Sequence, residues 1–139
     1  MRSSLKKSVS VLLVVICIFT LGAEVLAGSK RTLKVPNQGT NYVTIKGDNS
    51  SDLLSDTYEV WIYGTGNSVT ISKSKNCTVS KKYFSSTGAY RITIKVKGLT
   101  FGKVLVKINS GSTDTEVVTY DNEVTLYRGN CYWLHKVNI

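Results

Sequence analysis

The stretch Ala89-Tyr-Arg-Ile-Thr-Ile-Lys-Val-Lys-Gly-Leu-Thr-Phe-Gly-Lys-Val-Leu-Val-Lys-Ile-Asn109 decides the fold class. Ile92, Ile94 and Val96 alternate with Arg91, Thr93, Lys95 and Lys97; further on, Val104, Val106 and Ile108 alternate with Lys103, Leu105 and Lys107. A period of two sends successive side chains to opposite faces, so each run has one apolar and one largely basic face. Gly98 and Gly102 bracket the join, where residues free to take positive φ let a chain reverse. The expectation is an antiparallel hairpin. Its wet face would carry Arg91, Lys95, Lys97, Lys103 and Lys107, with Lys97 near Lys103 across the turn.

The alternation recurs on both sides of this stretch. Upstream, Leu33 and Val35 form a short run ended by Pro36, which cannot donate to a ladder and so favours a sheet edge. Val43 and Ile45 oppose Tyr42, Thr44 and Lys46, and Tyr58, Val60 and Ile62 oppose Glu59, Trp61 and Tyr63. Val69-Thr-Ile71 and Cys77-Thr-Val79 follow; downstream come Val118 to Tyr120, Val124 to Tyr127, and a last apolar segment from Cys131 to Val137. Residues 47–52 read as a loop, and Leu53-Leu54 as a helical turn capping one end of the core. Helical periodicity is missing throughout. About eight short strands, spaced by turn residues, define an all-β antiparallel sandwich in preference to a barrel.

The first 27 residues stand apart from this pattern. Arg2, Lys6 and Lys7 precede an apolar run from Val9 to Leu21, and Val25-Leu-Ala27 has the small-residue spacing that a signal peptidase accepts. An uncleaved anchor is the competing reading, but a membrane span needs about 20 apolar residues. This run is shorter, and Glu24 follows it closely. The expectation is a signal peptide over 1–27, a single β-sandwich domain over 28–139, and a secreted, extracellular product with no transmembrane span in its mature chain. Cys77 and Cys131 then remain, and an even pair in an exported chain reads as a disulfide. Such a bridge is worth about 4 kcal/mol for a long loop in the chain-entropy model.

Tyr58-Glu-Val-Trp-Ile-Tyr-Gly-Thr-Gly-Asn-Ser-Val-Thr-Ile-Ser72, followed by Val96-Lys-Gly-Leu-Thr-Phe-Gly-Lys-Val-Leu-Val-Lys-Ile108, resembles bacterial immunoglobulin-like domains. The likeness spans residues 32–108 and rests on a Trp strand followed by valine- and isoleucine-rich strands. It implies an immunoglobulin-like sandwich serving as an extracellular adhesive or spacer module, with no catalytic residues to carry over. Trp61 departs from the antibody pattern by preceding Cys77, whereas the antibody core Trp lies between its two cysteines. A Cys77–Cys131 bridge would therefore staple the C-terminal segment to the sheet.

Candidate chemistry is sparse. His135 is the one histidine, and nothing marks an oriented nucleophile for it to serve, so no catalytic residue and no enzyme activity are expected. Asp48, Asn49, Asp52 and Asp56 offer hard oxygen ligands but match no calcium-loop spacing, and turn composition alone accounts for them. No metal and no cofactor are expected. The formal net charge of +9 makes the basic face the main functional lead. Lysines on an exposed face also keep sheets soluble and block edge pairing. Their functional reading is contact with an anionic envelope polymer or polysaccharide. Trp61 and Tyr63, with Tyr127, Tyr132 and Trp133, form the second lead: a surface for stacking on sugars, or cross-strand packing. Another protein is the remaining candidate partner, whereas export and the lack of a recognisable module argue against nucleic acid. Two functions fit: a secreted non-enzymatic binding or adhesion module, or a small secreted effector such as an antimicrobial protein or enzyme inhibitor.

Overall fold

The computed structural model describes residues 30–37, 39–64, 68–109, 111 and 113–129. The proposed signal peptide, Cys131, Tyr132, Trp133 and His135 lie outside the described residues. Among the described residues nine strands follow one another: β1 (Arg31–Val35), β2 (Thr40–Asn49), β3 (Asp56–Tyr63), β4 (Ser68–Lys75), β5 (Cys77–Phe84), β6 (Ala89–Val96), β7 (Thr100–Asn109), β8 (Thr115–Thr119) and β9 (Val124–Arg128). They form a five-stranded sheet in the order β1-β8-β3-β6-β5 and a four-stranded sheet in the order β4-β7-β2-β9. All the ladders are antiparallel. The fold is all-β, consistent with a sandwich, and β1, which Pro36 follows, does lie at an edge.

The inward rows are those the alternation marks except in β8, where Val117 and not Val118 joins the core. Val60, Ile62, Ile92, Ile94, Val96 and Val117 of the larger sheet join Val43, Ile45, Val69, Val104, Val106 and Ile108 of the smaller in one core. Gly47 and Gly102, partners in the β2–β7 ladder, set the distance between the sheets. A Cβ on Gly102 would stand 2.6 Å from a Val96 methyl, and one on Gly47 would stand 3.2 Å from it. The pair forms a hollow that Val96 fills from the opposite sheet. Tyr58 enters beside it, its hydroxyl 2.8 Å from Glu123 Oε1 and 3.0 Å from the Asp48 carbonyl. Burial first, then the Glu123 hydrogen bond, pushes the Tyr58 hydroxyl far above its ordinary pKa.

Residues 89–109 are strands, but not a hairpin. β6 pairs with β3 and β5, while β7 pairs with β2 and β4, so the chain crosses from one sheet to the other at residues 97–99. Alternation specifies which face a strand buries, not which neighbour supplies its hydrogen bonds. Both kinds of connection carry the same pattern. In this turn the positive φ belongs to Leu99 (61°), and Gly102 lies within β7. Gly98 is required for space: a Cβ there would sit 2.1 Å from the Leu53 carbonyl oxygen.

Two further expectations change. Residues 47–49 belong to β2, with Asn49 only 3 % exposed, because inward-facing Gly47 lets the strand continue past the core. Leu53 and Leu54 form no helical turn and cap nothing, standing 79 % and 77 % exposed. Cys77 is unbridged among the described residues, and Cys131, its expected partner, lies outside them. Cys77 lies on the core side of β5, 3.7 Å from the Lys103 carbonyl, and burial raises its pKa.

β4 and β5 are consecutive lengths of chain at neighbouring edges of the two sheets, bent at Asn76 with φ of 58°. Asn76 holds the bend by accepting from the Lys97 amide (3.0 Å) and donating to the Phe101 carbonyl (3.2 Å). Lys81 on β5 then reaches across the seam and donates to the Val69 carbonyl of β4 at 2.6 Å.

Candidate functional site

The outer face of the four-stranded sheet gathers cations from three adjacent strands. Cross-strand partners share a face. Lys75 of β4 partners Lys103 of β7, and Lys103 partners Lys46 of β2, which makes a row of three lysines across the sheet. Lys107 and Lys73 lie on the same face, opposite Tyr42 and Leu105 respectively.

Lys73 and Lys75 reach this face because of a register shift between Ile71 and Lys73. Val69 and Ile71 point inward, and strict alternation would have carried residues 73 and 75 inward as well. The extra residue, Ser72, resets the parity. Re-aiming side chains is what a β-bulge does to a strand.

The row is electrostatically strained. Burial, followed by the charges of Lys75 and Lys46, lowers the pKa of Lys103. Lys46 Nζ stands 4.6 Å from the centroid of the Phe101 ring. Asp48 shares the face, but its carboxylate accepts from the Ser50 amide and hydroxyl at 2.9 and 2.7 Å. Leu105 and Thr44 also face outward, yet are 0 % and 1 % exposed. Neighbouring side chains cover them, as long aliphatic stems do when they lie along a surface with the charged heads in water.

The opposite face of the molecule, outside the five-stranded sheet, has a different character. Trp61 and Arg91 are ladder partners, and Lys82 partners Arg91 on the far side. The Trp61 and Tyr63 rings stack at 6.3 Å, and Phe84 closes on Trp61 at 5.3 Å. The Arg91 guanidinium and the Lys82 ammonium lie 5.3 and 5.1 Å from the Phe84 ring centre. Arg91 Nε is buried with no hydrogen-bond partner among the described residues, and the Phe84 ring lies against the guanidinium. Glu59 and Glu116 share the face, Glu116 standing 3.8 Å from Lys34. It is a mixed surface.

The seven candidate residues therefore divide. Trp61, Tyr63 and Arg91 come together, Lys95 extends their face between Thr57 and Thr78, and Lys97 follows the end of β6. Lys103 and Lys107 stand on the other side of the molecule, and Lys97 is not their neighbour on one wet face. Lys46, Lys73, Lys75, Phe84 and Phe101 are the residues that the sequence reading missed. Lys46 was legible as the polar partner in an alternating run. Lys73 and Lys75 were hidden by the bulge. Tyr127 is exposed on the lysine face, opposite Thr44 and away from Trp61.

The acidic loop has a local explanation. Asp48 caps Ser50, and Asp52 Oδ1 accepts from the Leu54 amide at 3.1 Å. Among the described residues no group of three or more His, Cys, Asp or Glu side chains is placed to hold a metal ion. Comparison with protein-family models, curated proteins and solved structures finds no match to this chain.

Proposed function

We propose that this chain is an exported, non-enzymatic binding module of immunoglobulin-like type, which takes an anionic polymer of the cell envelope on the outer face of its four-stranded sheet. The observation that carries this reading is the row Lys75–Lys103–Lys46, with the pKa of Lys103 lowered by burial and then by the two flanking charges. Like charges directly opposite one another destabilise a sheet. Phosphates or carboxylates spaced along a polymer offset that repulsion, and the field of the row steers them in. Three strands at a spacing of about 4.8 Å give a row about 10 Å long, which suits a chain of repeating charges better than one small anion.

Export is supported by the basic and apolar leader ending in Val25-Leu-Ala27, and a two-sheet antiparallel architecture suits an extracellular module. Lysines are also well placed for a reversible, salt-sensitive contact, since exposed charges are screened within about 8 Å at physiological ionic strength.

The test is retention of the purified protein on isolated envelope and on an immobilised polyanion. Lys46→Glu with Lys75→Glu is expected to abolish retention and leave thermal stability nearly unchanged. Unaltered retention of the double variant ends this reading.

A further inference from the structure

All the exposed leucines and phenylalanines that the described residues contain lie at one end of the sandwich. Leu53 is 79 % exposed, Leu54 77 %, Leu99 58 % and Phe101 40 %; the other large exposed hydrophobics, Tyr83, Tyr120 and Tyr127, each carry a polar hydroxyl. Leu53 and Leu54 come from the β2–β3 loop, Leu99 from the β6–β7 crossover and Phe101 from the start of β7.

The fold holds these side chains out. Leu99 N donates to the Asp52 carbonyl at 2.7 Å, and the Asp52 carboxylate accepts from Leu54 N at 3.1 Å. Buried Asn49 ties both segments together, its Nδ2 lying 2.9 Å from the Leu54 carbonyl and 3.1 Å from that of Lys97. Thr100 Oγ1 adds a bond to the Lys97 carbonyl at 2.8 Å, and Gly98 lies flat against Leu53. A loop that merely failed to bury its leucines would not need this scaffold.

Cations stand beside the apolar tip. Lys46 lies over Phe101, Lys97 opens the crossover, and Lys103 follows Phe101 by two residues on the same strand face. Carboxylates share this end and keep their charge: Asp48 and Asp52 accept from Ser50 and Leu54, Glu123 accepts from Tyr58, and Asp56 starts β3. The three lysines therefore face a mixed field and act through their reach to lipid phosphates. A rigid, protruding apolar tip beside lysines matches a surface that is negatively charged outside and apolar a few ångströms beneath.

We infer that this end docks on an anionic lipid bilayer, with Leu53, Leu54, Leu99 and Phe101 entering the headgroup–acyl boundary while Lys46, Lys97 and Lys103 meet lipid phosphates. A polysaccharide has no apolar interior in which to bury leucines. This inference shares Lys46, Lys103 and the requirement for export with the proposed function; the leucines belong to it alone.

Co-sedimentation with vesicles of phosphatidylcholine, with and without phosphatidylglycerol, tests it. The parent protein is expected to bind the anionic vesicles and to bind pure phosphatidylcholine much more weakly. Leu53→Ser with Leu54→Ser should weaken binding about a hundredfold, roughly tenfold for each leucine withdrawn from the acyl boundary. The same variant should keep its melting temperature and its retention on the immobilised polyanion. Lys46→Glu with Lys75→Glu should reduce both vesicle and polyanion binding. Equal vesicle affinity for the leucine variant and the parent overturns the inference, as does a parent that ignores anionic vesicles. Polyanion retention in either case leaves the polymer-binding reading standing.

Discussion

Gly98→Ala is the sharpest test of how the apolar end is built. The new Cβ would lie 2.1 Å from the Leu53 carbonyl oxygen, 2.5 Å from its carbon and 2.9 Å from the Asp52 oxygen. These are backbone atoms with no rotamer to change, so the 50–55 loop must retreat. Its withdrawal breaks the Leu99 N to Asp52 bond and draws the Leu54 carbonyl away from Asn49. The lost Leu99 hydrogen bond costs about 1 kcal/mol. Asn49 keeps the Val96 and Lys97 carbonyls, and the backbone shift forced by the added methyl costs about 1–3 kcal/mol more. Alanine returns about 0.4–1 kcal/mol by restricting the unfolded chain. The net loss is about 2–3 kcal/mol. At about 4–8 °C per kcal/mol for a domain near this size, thermal unfolding should fall by about 10–20 °C. Amide exchange gives an independent readout, since Leu99 N–H should lose protection more than the amides of β6 and β7. A variant that melts within about 3 °C of the parent, with Leu99 still protected, would refute the close approach.

Two other perturbations probe the interior. Because the folded pKa of Tyr58 lies above its unfolded value, the neutral hydroxyl contributes stability that is present below the ordinary tyrosine pKa of about 10 and lost as pH climbs beyond it. Tyr58→Phe should cost about 1 kcal/mol at neutral pH and flatten that alkaline decline, as denaturant titrations across the range would show; an unchanged decline assigns it to other groups. Burial raises the Cys77 thiol, so iodoacetamide at neutral pH should label it far more slowly in the native protein than in the urea-unfolded chain. Equal rates, read by peptide mass, would contradict its placement.

The legible part of this fold is the part governed by local periodicity. Ile92, Ile94 and Val96, like Val104, Val106 and Ile108, face inward as alternation requires, and lysines line much of the other side. Long-range partnership was not legible. A turn through Lys97, Gly98 and Leu99 can return a strand to its own sheet or carry it to the facing one, and contacts with Asn49, Asp52, Leu53 and Asn76, distant in sequence, select the crossover. The lysine face suffered most from this. Its members Lys103 and Lys107 stand on the opposite side of the molecule from Arg91 and Lys95, which alternation alone places with them, and a bulge at Ser72 conceals Lys73 and Lys75. Leu53 and Leu54 misled for a different reason: apolar residues usually seek a core, and here the hydrogen bonds of Asn49 oppose it.

The bend at Asn76 has a mechanical consequence. Since β4 and β5 are one continuous length of chain, stitched again by Lys81, neither can be peeled from its sheet without loading the other. That side of the domain works as a fold in cloth, not as two loose hems. Tension arriving there is shared between both layers.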